Sequence, residues 1–180
     1  MEIFPTIESV HQGIAHRFDV AKEHALQYEE AIRIMDERDE LQSIGGSDSS
    51  KKITELDEKL QASIVTVNTL GDFRTLLEKT DLSAEDVLHT LAHENAHANV
   101  AESLGADEIE YSIMICKGKD NFKYNAWASF RNPSDWSKDP QKIPNLIRIF
   151  NAPAEYGDSL SEDDRKTIEK LRERIAQLSQ

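Results

Sequence analysis

Between Ser83 and Gly105 the chain carries a segment marked at both ends. Ser83-Ala-Glu-Asp86 reads as a capping box, in which the Ser83 hydroxyl accepts from the Asp86 amide and the Asp86 carboxylate reaches back to the cap. Gly105 is the residue type that ends a helix in the left-handed conformation. The spacing predicts a helix from Ala84 to Leu104, with Leu91, Ala92, Ala96, Val100 and Leu104 as apolar flanks able to bury it. A helix buried in this way needs partners, and the rest of the chain must supply them.

Upstream, Ile7, Val10, Ile14, Phe18, Ala21, Ala25, Tyr28, Ile32 and Met35 recur at steps of three and four, which predicts one long amphipathic helix to about Leu41. Ser43-Ile-Gly-Gly-Ser-Asp-Ser-Ser50 breaks it with a flexible turn. A second helix then carries Ile53, Leu56, Leu60, Ile64 and Val67 on its stripe, so residues 1–70 read as an N-terminal helical hairpin. Phe73, Leu76 and Leu77 mark a short helix after Gly71. Downstream of Gly105, Glu108–Cys116 and Phe122–Phe130 read as two strands of a hairpin across Lys117-Gly-Lys-Asp-Asn121. A loop over 131–145, a short helix Leu146–Phe150 and a last helix from about Ser161 complete residues 71–180. The fold class expected is mainly α (α+β).

Charge narrows the functional classes. With 34 acidic and 21 basic residues the net charge is −13, which argues against a nucleic-acid binder or an anionic-membrane binder. Residues 106–152 are the exception at +1, against −7 for residues 1–50. No run approaches the ~18 apolar residues of a membrane span, and Met1-Glu-Ile-Phe-Pro5 lacks the basic start of a signal peptide. Cys116 stands alone in an apolar run, so no internal disulfide can form, and a cytoplasmic setting is the simpler expectation.

The capped helix contains His93-Glu94-Asn95-Ala96-His97, a match to H-E-x-x-H. Residues four apart sit one turn above each other, so two imidazoles can grip one Zn2+ while Glu94 projects toward the water that zinc activates. His93 and His97 are the expected metal ligands and Glu94 the expected general base. His89 lies one more turn back; three histidines at this spacing on a straight helix cannot converge on one tetrahedral ion, so it reads as a neighbour of the site or an exposed residue. A third ligand must come from elsewhere, since Ser103 stands where a metzincin histidine would be. On the last helix Asp164 shares the stripe of Leu160, Ile168, Leu171, Ile175 and Leu178, and a carboxylate on a buried stripe must be paired or metal-bound. Ser161-Glu-Asp-Asp164 is also a capping box, which offers Asp164 a purely structural role; Asp163 and Glu155 are the reserve ligands.

Ala92-His-Glu-Asn-Ala-His-Ala-Asn-Val-Ala101 resembles the A-x-H-E-A-G-H-A-x-V-A element of FtsH-type zinc proteases, with Asn95-Ala96 where that family has Ala-Gly. Ala154-Glu-Tyr-Gly-Asp158 and Ser161-Glu-Asp-Asp164 are similar to the stretches that precede and include the family's third ligand. The resemblance implies a helical zincin-like core with a small β-hairpin, zinc on His93, His97 and Asp164, catalysis by Glu94, and an exposed strand that receives a peptide. No G-x-x-x-x-G-K-[ST] is present, which implies ATP-independent action on short or unfolded protein substrates. The N-terminal helices could then serve a homo-oligomer. Trp127, Trp136 or the 131–145 loop are candidates for a pocket wall, with core packing the simpler role for both tryptophans. Two rival expectations stand beside this one: a non-catalytic helical interaction protein with an accidental motif, and a metal-dependent hydrolase of a non-peptide amide.

Overall fold

The computed structural model describes residues 7–44, 47–131, 136 and 139–178. Among these the order of elements is α1 (Ile7–Glu23), β1 (Leu26–Gln27), α2 (Tyr28–Ile44), α3 (Ser47–Gln61), β2 (Ile64–Val67), α4 (Leu70–Leu77), α5 (Ala84–Ser103), β3 (Asp107–Lys117), β4 (Phe122–Arg131), α6 (Ile143–Phe150), α7 (Ala152–Glu155) and α8 (Glu162–Leu178). The class is mainly α with a small sheet, in which β3 pairs with β1, β2 and β4. No helix among the described residues is long and apolar enough to cross a membrane. Two compact units divide the chain: Met1–Val67, Arg74–Leu82 and Ser112–Ala126 form the first, and Asn68–Phe73, Ser83–Tyr111 and Trp127–Gln180 the second.

In the first unit the single N-terminal helix expected from periodicity is two. The chain leaves α1 after Glu23, and Leu26 and Gln27 pair in parallel with Cys116 and Lys117 before α2 begins. The break shifts the phase of the stripe: α1 buries Ile14, Phe18 and Ala21, whereas α2 buries Ala31 and Ile34, one position before the continued series. The second expected helix also ends early, at Gln61. Leu56 and Leu60 are buried on it, but Ile64-Val-Thr-Val67 forms β2 with Val65 and Val67 inward. This β-branched run is stiff at χ1 and suits a pleated surface better than a helix. Ser63 makes the transition, its hydroxyl donating to the Leu60 carbonyl while its own carbonyl accepts from Ile115 of β3. α2 and α3 pack on each other; Gly45 and Gly46 of the expected turn lie outside the described residues.

The second unit is built around α5. The Ser83 hydroxyl accepts from the Asp86 amide at 3.1 Å, and the far end closes in a Schellman arrangement. There Ala106 N–H reaches the Ala101 carbonyl, Gly105 N–H reaches that of Glu102, and Gly105 has φ +86°. α5 packs on α6 and α7, and α6 packs on α8. Ala96, Val100 and Ala101 of α5 meet Leu146, Ile149, Ala152 and Trp136 in one core, with Phe130 and Leu171 against it. Full burial of a side chain such as Leu146 or Ile149 contributes roughly 1.5–3 kcal/mol. Trp136 is thus a core residue, and Trp127 is half-buried. α6 starts earlier than its apolar run suggested, with Pro144 in its first turn, where the missing N–H is not needed. Residues 132–135 and 137–138 of the expected 131–145 loop lie outside the described residues.

Candidate metal centre

Because Ala96, Val100 and Ala101 turn one face of α5 into this core, the neighbouring positions His93, Glu94 and His97 are carried inward with it. All three are buried, as is Asp164 in the first turn of α8. The two imidazoles lie edge to face, with centroids 5.0 Å apart. His93 Nε2 is 3.1 Å from Asp164 Oδ2, and His97 Nε2 is 3.4 Å from Asp164 Oδ1. One ligand atom from each of His93, His97 and Asp164 lies within 4.8 Å of the others. Asp163 and Glu155, the reserve ligands, are exposed and stand outside this group.

The outer nitrogens explain why the inner ones converge. His97 Nδ1 is 2.8 Å from the Ile149 carbonyl oxygen, which can only accept, so that nitrogen carries the proton. His93 Nδ1 is 2.9 Å from Asp158 Oδ2, again an acceptor. With both Nδ1 protons assigned outward, each neutral ring presents its Nε2 lone pair to the Asp164 carboxylate. Two lone pairs and a buried anion facing one another require either protons or a cation among them. Without a metal, protons serve. The Asp164 hydrogen bond, opposed by burial and aided by Asp158, pushes the His93 pKa up to about 9. At His97 burial works against protonation, yet Asp164 and the Ile149 carbonyl raise it on balance. Asp164 is itself held below the usual carboxylate range: burial opposes this, but hydrogen bonds from His93, His97 and Ser161 prevail.

Two imidazoles and a carboxylate are donor types that zinc accepts. Ligand bonds of about 2.0–2.2 Å at tetrahedral angles place donor atoms about 3.3–3.6 Å apart; here the two imidazoles approach different oxygens of Asp164, and the three ligand atoms lie within 4.8 Å of one another. Two imidazoles with one carboxylate also leave a fourth position for water. His93, His97 and Asp164 are the residues that could hold the ion.

Glu94 faces the same region from between the two histidines. Its Oε2 accepts from the Ala128 amide of β4 at 2.7 Å, and burial raises its pKa. Ala128 N–H is therefore turned away from β3, and Phe130, two residues on, turns its main chain to the same edge. Asp158 also faces His93, although it lies on no helical stripe. It follows Gly157, which has φ +85°, in a Schellman closure of α7: Asp158 N–H reaches the Pro153 carbonyl and Gly157 N–H that of Ala154. The signal available was Gly157 itself, a left-handed stop after a short Pro-opened helix, which fixes the next residue. His89, exposed on α5, places Nε2 2.9 Å from the other oxygen of Asp158.

Compared with family models, curated proteins and solved structures, the chain matches none.

Proposed function

We propose that this protein is a zinc-dependent metallopeptidase, with His93, His97 and Asp164 holding Zn2+ and Glu94 acting as general base. The observation that carries the reading is the convergence of two Nε2 atoms and a buried carboxylate while both Nδ1 atoms are committed elsewhere. Zinc bound there supplies Lewis-acid polarisation of a carbonyl and lowers the pKa of a coordinated water toward 7. Glu94, buried and with a raised pKa, takes the proton from the attacking water and delivers it to the leaving amine. With the Ala128 amide held by Glu94, the remaining main-chain groups on this edge of β4, the Ala128 carbonyl and those of Phe130, would receive an extended peptide beside Glu94, a mode that suits short or unfolded substrates. The likeness of residues 92–101 to FtsH-type proteases points the same way.

One observation favours a second reading, a non-catalytic helical protein. Asp164 already closes the capping box of α8 through Ser161 and ion-pairs with both histidines, so the cluster has a structural use without metal. Metal analysis separates the two. The protein expressed with zinc and then dialysed should retain close to one equivalent and cleave an unfolded protein substrate, with chelator abolishing cleavage. Less than a few tenths of an equivalent, with no uptake on titration, would leave the structural reading.

A further inference from the structure

Resting on this proposed metal centre, we infer that Asp158 is a positioning residue for the ligand His93, and that His89 holds Asp158 in place. Both oxygens of the Asp158 carboxylate are engaged. Oδ2 faces His93 Nδ1 at 2.9 Å, while Oδ1 takes His89 Nε2 at 2.9 Å and its neighbour's amide, Ser159 N–H, at 2.7 Å. A carboxylate only accepts, so it selects the Nδ1–H tautomer of His93 and leaves Nε2 as the metal donor. It also fixes the ring's rotation, because Asp158 is tethered by backbone at the closure of α7 and by side chain to α5 one turn before His93. His97 gets the same service from the rigid Ile149 carbonyl at the end of α6. At His93 Nδ1 the Asp158 carboxylate supplies the equivalent acceptor. Hydrogen bonds of this kind orient a ligand and raise its basicity, and their loss typically costs 10–100-fold in metal affinity.

The test uses the full chain, zinc affinity by competition with a chromophoric chelator, and the visible spectrum of the cobalt-substituted protein. Asp158→Ala should weaken zinc binding by about 10–100-fold and alter the cobalt spectrum, while the metal-free protein, which keeps the His93–Asp164 pair, loses less stability than the zinc-loaded one. Asp158→Asn, which keeps the shape and one acceptor oxygen, should fall between. His89→Ala should give a smaller loss that disappears in the Asp158→Ala background, since His89 acts only through Asp158. If the parent chain binds zinc and both Asp158 variants match its affinity and spectrum, the positioning role is wrong and the proposed function stands. A loss in Asp158→Ala that tracks a drop in metal-free stability, with the cobalt spectrum unchanged, would reduce Asp158 to a structural residue. A parent chain that takes up no metal removes the proposed function and this role with it.

Discussion

Ser161 Oγ donates to Asp164 Oδ2 at 2.7 Å, and that same oxygen lies 3.1 Å from His93 Nε2. The Asp164 amide in turn donates to Ser161 Oγ at 3.0 Å, so the capping box of α8 and the candidate metal centre share one carboxylate. The box sets the backbone and rotamer of Asp164 before any ion arrives. Ser161→Ala should therefore act twice: about 1 kcal/mol of stability lost with the cap, and weaker zinc binding because Asp164 is less well held. Asp164→Asn should cost far more affinity while leaving the Ser161 contact available. Chelator competition on both variants checks this, and a Ser161→Ala protein that loses stability without any change in affinity would uncouple the cap from the site.

What could be read in the sequence was what local spacing dictates. α5 was legible end to end because Ser83 and Gly105 punctuate it, and the pairing of His93 with His97 followed from helix geometry alone. Asp164 was reachable through its place on the stripe of Ile168 and Leu171. The break after Glu23 was hidden because Ala25 and Tyr28 keep the helical step; the sheet pairing with Cys116 and Lys117, far along the chain, decides it. Ile64 and Val67 likewise fit a helical stripe, and their strand state depends on β3. Asp158 belongs to no periodic face, being fixed by the turn at Gly157, so helical spacing carries no sign of it.

Glu94→Gln separates chemistry from binding. The change is isosteric, and the amide oxygen can still accept from Ala128 N–H, so zinc affinity should stay near that of the parent while peptide hydrolysis falls by about 10²–10⁴-fold. Burial raises the folded pKa of Glu94, so the folded protein binds more protons than the unfolded chain above the ordinary carboxylate value. Stability then declines as pH rises through that window, and Gln, which does not ionise, escapes the decline. In chelator, urea midpoints should show Glu94→Gln more stable than the parent at pH 7 and level with it near pH 4. Retained peptidase activity in this variant would remove Glu94 as the base.

His93 sets a pH dependence of opposite use in the two states of the site. Its pKa is raised from 6.5 to about 9, first by the hydrogen bond to Asp164, so without metal its contribution to stability is full below pH 6.5 and lost as pH rises through about 9. A metal needs the deprotonated nitrogen, so zinc affinity should climb over the same interval as binding releases protons. Urea unfolding at pH 6, 7.5 and 9 should show the chelated protein weakening with pH and the zinc-loaded protein gaining on it throughout. A chelated protein whose midpoint is flat across this range would show that no imidazolium–carboxylate pair stabilises it.

Gly157 tests how far the backbone sets the site. Its φ of +85° lies in the left-handed region, and a Cβ there would meet no atom within 4 Å, so the cost of substitution is conformational and not a clash. Alanine in that conformation is disfavoured by about 1–2 kcal/mol, whereas asparagine tolerates it. Gly157→Ala should relieve the strain by loosening the closure of α7, which shifts Asp158 from His93; zinc affinity and stability should fall together. Gly157→Asn should keep the left-handed turn and stay close to the parent in both. If the two variants bind zinc equally well, the geometry of Asp158 does not depend on this turn, and its hold must come from His89 and Ser159 alone.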